Sequence, residues 1–179
     1  HYFVPKFRKR KMSLKRKSLL LIFFILLVDQ VVKILIKTNM VIGQEIPVIG
    51  DWFRIHFLEN NGMAFGMEMG GSAGKIILSL FRLVAIIGIG WVLARLIRKN
   101  EPAGLVLCVS AIMAGAIGNL IDSAFYGMIF SESWHSVAVL FPEGGGYSSF
   151  LHGRVVDMLY FPVIDTHWPD WSPVKAGEE

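Results

Sequence analysis

Three long apolar stretches dominate the hydrophobic pattern of the chain, at residues 18–37, 75–97 and 103–125. A helix needs about 20 mostly apolar residues to cross the hydrocarbon core of a bilayer, and each stretch has about that length. No small-residue cleavage site follows the first stretch, which argues against a removable leader. The pattern therefore predicts an α-helical integral membrane protein with three membrane-spanning helices in this chain.

The remaining segments have other patterns. Residues 41–70 alternate apolar and polar positions between Gly and Pro, which is typical of short strands and predicts a small antiparallel sheet at the membrane surface. Residues 126–179 are rich in Gly, Pro, Ser and Trp and predict a loop-rich insertion and tail, with Trp134, Trp168 and Trp171 as interfacial anchors. We find no linker or repeat, so residues 1–179 are expected to form a single membrane-embedded domain.

Composition supports a membrane protein. The chain is 54% hydrophobic and 18% charged, with a mean hydropathy of +0.53, whereas soluble domains usually carry about 25% charged residues. Intrinsic disorder is excluded, and a single soluble globule is disfavoured. The only cysteine, Cys108, excludes a disulfide framework and a multi-thiolate metal site.

Basic residues flank the apolar stretches unequally. Residues 1–17 hold eight of the 18 Lys and Arg residues, and three more, Arg95, Arg98 and Lys99, lie at the end of the second stretch and in the turn that follows it. Lys and Arg concentrate on the cytoplasmic side of membrane proteins. We therefore predict a cytoplasmic N-terminus, with residues 41–70 and 126–179 on the outer side. The net charge of +4 reflects this asymmetry, and no nucleic-acid partner is expected.

Polar residues of all three predicted spans fall at one depth. From a rise of about 1.5 Å per residue, Asp29 and Lys33, Arg82, and the Asn119–Asp122 pair all lie in the outer half of the membrane. Asp29 and Lys33 are spaced i,i+4 and are predicted to pair. Each group also has a purely structural explanation: an ion pair that locks helices, a snorkelling arginine, or an interhelical amide bond. Because intramembrane charges are costly, their common depth favours a functional site.

The sequence narrows the chemistry of this site. It has no H-E-x-x-H pair for zinc and no G-x-S-x-G turn for a serine nucleophile, and four of its five histidines are scattered through the outer loops. The remaining reactive groups are the carboxylates of Asp122 and Asp157. Two carboxylates that share a proton can activate water and protonate a leaving amine. No metal and no cofactor are expected.

Four motifs occur in order: D-Q-V-V-K at residues 29–33, N-N-G-M-A-F-G at 60–66, G-N-L-I-D at 118–122 and G-R-V-V-D at 153–157. In this order they resemble the lipoprotein signal peptidases (signal peptidase II), which are aspartic endopeptidases of the bacterial inner membrane. The resemblance covers about residues 18–160. It implies four membrane spans, a periplasmic β-cradle, an active site at the periplasmic side and inhibition by globomycin-type peptides. The implied partners are membrane lipid and a diacylglyceryl-modified prolipoprotein, whose signal peptide is cut before the lipidated cysteine.

The resemblance also implies roles for individual residues. Asp157 matches one member of the catalytic aspartate dyad. The supporting and substrate-binding residues that we predict are Asn60, Gly62, Asn119, Asp122, Asp29, Lys33, Arg82 and Arg154.

The sequence departs from the family pattern in three places. The arginine expected after G-N-x-x-D is Ser123, so Arg82 or Arg154 is predicted to replace it. The loop before V-V-D is expanded to residues 128–152. The motif F-N-x-A-D, which carries the other catalytic aspartate at the head of a fourth helix, has no match, because neither Asp165 nor Asp170 follows Phe-Asn.

The resemblance places the missing parts after the last residue of the chain. We expect the second dyad aspartate and a fourth membrane span beyond Glu179. On the polar layer alone, a non-enzymatic transporter subunit with an intramembrane charge path remains the alternative.

Overall fold

A computed structural model describes residues 12–50, 52–60 and 71–162, without the side chains of residues 71–73. Its long helices are α1 (Leu14–Lys37), α2 (Gly71–Arg98) and α3 (Ala103–Ile121). All three are long and apolar enough to cross a membrane, with the third span continuing to Ile129. The three predicted spans are therefore confirmed.

Helix α3 packs against α1 through small side chains. The buried positions of α3 recur every four residues, so they lie on one face: Val106, Ser110, Ala114 and Gly118. Near one end of this interface, Ser110 is hydrogen-bonded to Ser18 of α1 with an oxygen–oxygen distance of 2.5 Å. Near the other end, a Cβ atom at Gly118 would lie 2.5 Å from Oδ2 of Asp29, so any larger residue there would displace that carboxylate. Close approach of the two backbones brings the polar side chains of α1 and α3 together.

The third span changes its winding at Asp122. After Ile121 the chain forms a π-helical segment, Asp122–Tyr126, followed by one helical turn at Gly127–Ile129. Such π-segments are rare and are often found at functional sites. Here the segment holds the buried side chains of Asp122, Ser123 and Tyr126.

A three-stranded antiparallel sheet lies beyond the end of α1. It consists of β1 (Glu45–Ile49), β2 (Phe53–Asn60) and β3 (Val155–Tyr160), in that order. The first two strands confirm the sheet predicted for residues 41–70. The third was not predicted: the V-V-D segment joins the sheet as its edge strand, with Asp157 opposite Leu58.

The expanded loop between α3 and β3 folds back onto the helices. Residues 130 and 140 form an antiparallel bridge, and Ala138 N donates to the carbonyl oxygen of Lys37 at 3.2 Å. At the end of the loop, Gly153 N donates to Ser123 O at 2.9 Å. A Cβ atom at Gly153 would collide with the carbonyl oxygen of Asp122, so glycine is required just before β3.

A small apolar core holds the sheet, the loop and the helix ends together. Its buried residues come from α1, β2, the third span, the loop and β3: Ile36, Met40, Phe57, Tyr126, Phe130, Ala138 and Val156. The core therefore fixes β3 directly above the polar layer of the spans.

Candidate active site

Asp122 is the centre of a buried polar cluster. Its carboxylate is fully buried and accepts hydrogen bonds from Lys33 Nζ at 2.6 Å, Gln30 Nε2 at 3.0 Å and Val156 N at 3.3 Å. The first two donors come from α1 and the third from β3. One carboxylate therefore joins the π-helical segment to both α1 and the sheet, and its hydrogen bonds offset the cost of burying its charge.

Lys33 lies between two carboxylates. Its ammonium group is 3.2 Å from Oδ2 of Asp29, 2.6 Å from Oδ2 of Asp122, and 3.2 Å from Oδ1 of Asn119. The predicted pairing with Asp29 is present, but Asp122 is the closer and more deeply buried partner. Asp29 keeps 20% of its side chain exposed. The predicted convergence of α1 and α3 at one depth is thus observed in the geometry.

Gln30 is a member of the cluster that sequence reasoning missed. Its amide nitrogen donates to both Asp29 and Asp122 at 3.0 Å, and its oxygen accepts from the Tyr126 hydroxyl at 3.2 Å. The only signal in the sequence is a second polar residue beside Asp29 within an apolar span. The amide bridges two carboxylates that would otherwise repel each other.

Arg82 reaches the cluster from α2. Its guanidinium donates to Oγ of Ser123, and that hydroxyl donates to Asn119 O at 3.0 Å. The guanidinium also interacts electrostatically with the carboxylates of Asp122 and Asp157. Of the two arginines predicted to replace the family's arginine at position 123, Arg82 is therefore the one beside that position.

Arg154 belongs to a different cluster, which links the loop to the sheet. Its guanidinium contacts Oε2 of Glu59 at 3.0 Å, binds both carboxylate oxygens of Glu132 and stacks over the Tyr147 ring at 4.9 Å. The hydrogen bonds from Arg154 hold the pKa of Glu132 below its usual value. Glu59 in turn accepts from Lys37 at the end of α1. The prediction that Arg154 could replace the arginine at position 123 is wrong in this respect, because two glutamates hold its side chain elsewhere.

Asp157 stands apart from the buried ion pairs. It is exposed at the edge of the sheet, and it directly follows Val156, whose N–H binds Asp122. Asn60 ends the neighbouring strand opposite Val155 and is partly buried. Within the described residues, no group of three or more His, Cys, Asp or Glu side chains is arranged to hold a metal ion.

Several of the predicted features fall outside the described residues, namely Gly62, Asp165, Asp170, Trp168 and Trp171. The same holds for Glu179, the residue beyond which the second dyad aspartate is expected. The described part of the chain ends at residue 162, so the position of that aspartate and of a fourth span stays a prediction. Asp157 is therefore the one member of the predicted dyad that the structure places.

Comparison with known proteins decides which family this arrangement belongs to. Residues 21–173 match the family described as Signal peptidase (SPase) II. The chain belongs to this family. It is 54% identical over 160 residues to the lipoprotein signal peptidase of Porphyromonas gingivalis, with 89% of this chain and 69% of that protein covered. It is 37% identical over 155 residues to the lipoprotein signal peptidase of Amoebophilus asiaticus, with 84% of this chain and 61% of that protein covered.

Solved structures support the fold. Two bacterial membrane enzyme structures determined by the in meso method resemble the chain, with TM-scores of 0.54 and 0.51 and identities of 24% and 26%. They cover 90% and 86% of this chain, which itself covers 80% and 79% of theirs. The resemblance drawn from the four motifs is confirmed, and the chain is a membrane-spanning bacterial protein of a peptidase family.

Proposed function

We propose that the complete protein is an intramembrane aspartic endopeptidase that removes the signal peptide from diacylglyceryl-modified prolipoproteins. Cleavage falls just before the lipidated cysteine, at the periplasmic side of the inner membrane. The observation that carries the proposal is the position of Asp157: an exposed carboxylate on the strand that Asp122 holds against the membrane-spanning helices.

The engagement of Asp122 argues against a catalytic role for this carboxylate. Both of its oxygens already accept hydrogen bonds, and one of them faces an ammonium group at 2.6 Å. A group that exchanges protons with water must instead reach water or substrate. Asp157 meets that requirement, so Asp122 acts as a positioning residue and Asp157 as the catalytic one.

The chemistry requires a second carboxylate. One aspartate, as the general base, removes a proton from the attacking water while the other, protonated, gives its proton to the leaving amine. Asp157 supplies one of these groups, and the family pattern places the other in the F-N-x-A-D motif expected beyond Glu179. Arg82 supports this arrangement, because its guanidinium interacts electrostatically with Asp157 as well as with Asp122.

The test compares two isosteric substitutions in the complete protein, reconstituted in vesicles with a lipidated prolipoprotein. Asp157→Asn is expected to abolish cleavage while globomycin binding is retained, since the exposed side chain contributes little to folding. Asp122→Asn is expected to keep measurable cleavage at reduced rate. Full activity of Asp157→Asn would overturn the assignment of Asp157, and failure of the unsubstituted protein to cut any lipidated prolipoprotein would overturn the proposed reaction.

A further inference from the structure

A largely apolar hairpin lies within the expanded loop. The buried Ser133 anchors its start, because the Ser133 hydroxyl accepts from Lys37 Nζ at 2.6 Å and donates to Glu59 Oε1 at 2.8 Å. Residues 133–142 contain no Lys, Arg, Asp or Glu. Four of the apolar side chains in this stretch are largely exposed: Trp134 at 62%, Val137 at 40%, Val139 at 58% and Phe141 at 72%. Contiguous exposed apolar surface often marks a site that contacts another protein or a membrane.

Two backbone hydrogen bonds fix the depth of this hairpin. Ala138 N donates to the carbonyl oxygen of Lys37 at 3.2 Å, and Phe141 N donates to that of Ile129 at 2.7 Å. Lys37 is the last residue of α1, and Ile129 is the last residue of the third span. Residues 138–141 therefore lie at the level where two membrane-spanning helices end.

The exposed side chains form an outward-facing surface. Ala138 is 3% exposed and faces the core, whereas Val137, Val139 and Leu140 around it are exposed. Trp134 lies beside the chain that continues α1, where it lines a cavity of about 300 Å³ together with Val41, Ile42 and His135. The apolar surface of the hairpin is thus continuous with the end of α1.

We propose that the hairpin of residues 133–141 is a lipid-binding surface, immersed in the headgroup region of the leaflet at which α1 ends. Tryptophan and aliphatic side chains without charges suit this layer, where an amphipathic ring meets both headgroups and acyl chains. The lipid surface is favoured over a second protein copy because the hydrogen bonds to Lys37 and Ile129 place the hairpin at membrane level. The proposal does not depend on the proposed reaction.

Depth-dependent fluorescence quenching tests the proposal. In the complete protein, all native cysteines including Cys108 are replaced by alanine, and single cysteines are introduced as Val139→Cys or Phe141→Cys and labelled with bimane. Two control positions represent other depths, one within the acyl chains and one in water. Ile87→Cys lies midway along α2 and is 64% exposed, and Lys99→Cys lies in the exposed turn between α2 and α3. The labelled proteins are reconstituted in vesicles of phosphatidylcholine and phosphatidylglycerol.

If the hairpin binds lipid, labels at different depths should respond to different quenchers. Labels at positions 139 and 141 should be quenched by a headgroup-level nitroxide lipid, should resist aqueous iodide and should emit to the blue of the label at 99. The label at 87 should respond to a nitroxide deep in the acyl chain, and the label at 99 to iodide. Iodide quenching at 139 and 141 equal to that at 99 would overturn the proposal. Resistance to every quencher would also overturn it, because another protein surface would then cover the hairpin.

Discussion

Replacing Lys33 by methionine is expected to destabilise the protein more than any other single change in the polar cluster. The substitution keeps the length of the side chain but removes the ammonium group that lies 2.6 Å from Asp122 and 3.2 Å from Asp29. Asp122 would then keep two neutral donors, Gln30 and the N–H of Val156. Because neutral hydrogen bonds do not compensate a buried charge, the loss should be about 3–5 kcal/mol of unfolding free energy.

The matched control is Asp29→Asn, and its expected outcome differs from the one the sequence suggests. If Asp29 were the main partner of Lys33, its removal would strand a buried cation. The structure gives Lys33 a closer partner in Asp122 and a third contact in Asn119. Since Lys33 keeps these two contacts when Asp29 is replaced, Asp29→Asn should cost clearly less unfolding free energy than Lys33→Met.

The assay is reversible unfolding in bicelles at neutral pH, analysed as a double-mutant cycle between positions 33 and 122. The Lys33→Met/Asp122→Asn double variant removes both charges and should recover more than half of the stability lost in Lys33→Met, because no unpaired carboxylate remains at position 122. Asp122 is not the main partner of Lys33 if Asp29→Asn is as costly as Lys33→Met. An unpaired charge at position 122 is not the source of the loss if the double variant is no more stable than Lys33→Met.

Three further outcomes are expected. Glu132→Gln should lower the melting temperature at neutral pH but not in acid. Hydrogen bonds from Arg154 depress the pKa of Glu132 in the folded state. The ionised Glu132 therefore stabilises the fold fully above the usual pKa of 4.5, and this stabilisation disappears as the pH falls through the folded-state pKa. Converging melting curves for wild type and variant would support this, and parallel curves would contradict it. Arg82→Ser should reduce prolipoprotein cleavage. Adding Ser123→Arg should restore part of the activity, because it returns a guanidinium to the same place from the third span. No recovery would show that Arg82 does not replace an arginine at position 123. Gly118→Ala should lower activity more than the neighbouring change Gly115→Ala, since only at Gly118 would a methyl group collide with the carboxylate in α1; equal effects would argue against close packing there.

The sequence predicts those parts of the structure that are determined locally. Span length and hydropathy are sufficient to place the three helices, and the helical rise is sufficient to bring Lys33 and Asn119 to one level. Alternation predicts β1 and β2, which are close in sequence. The pairing of β3 with β2 joins positions far apart in the chain, such as Leu58 and Asp157, and no local pattern encodes it. The preference of Lys33 for Asp122 cannot be predicted from the sequence either, because the positions along the helices allow Lys33 to pair with Asp29 or with Asp122.

The contact between two of the sequence motifs gives a physical reason for their joint occurrence. The carboxylate of Asp122, in the G-N-L-I-D motif, accepts from the backbone of Val156, in the G-R-V-V-D motif. The backbones of Ser123 and Gly153 meet beside it, at an approach too close for a side chain at Gly153. A buried charge in the π-helical segment and a glycine before the strand together fix the position of β3. Asp157 therefore owes its position to Asp122 and Gly153, and under the proposed function substitutions at either residue should impair cleavage by moving the strand.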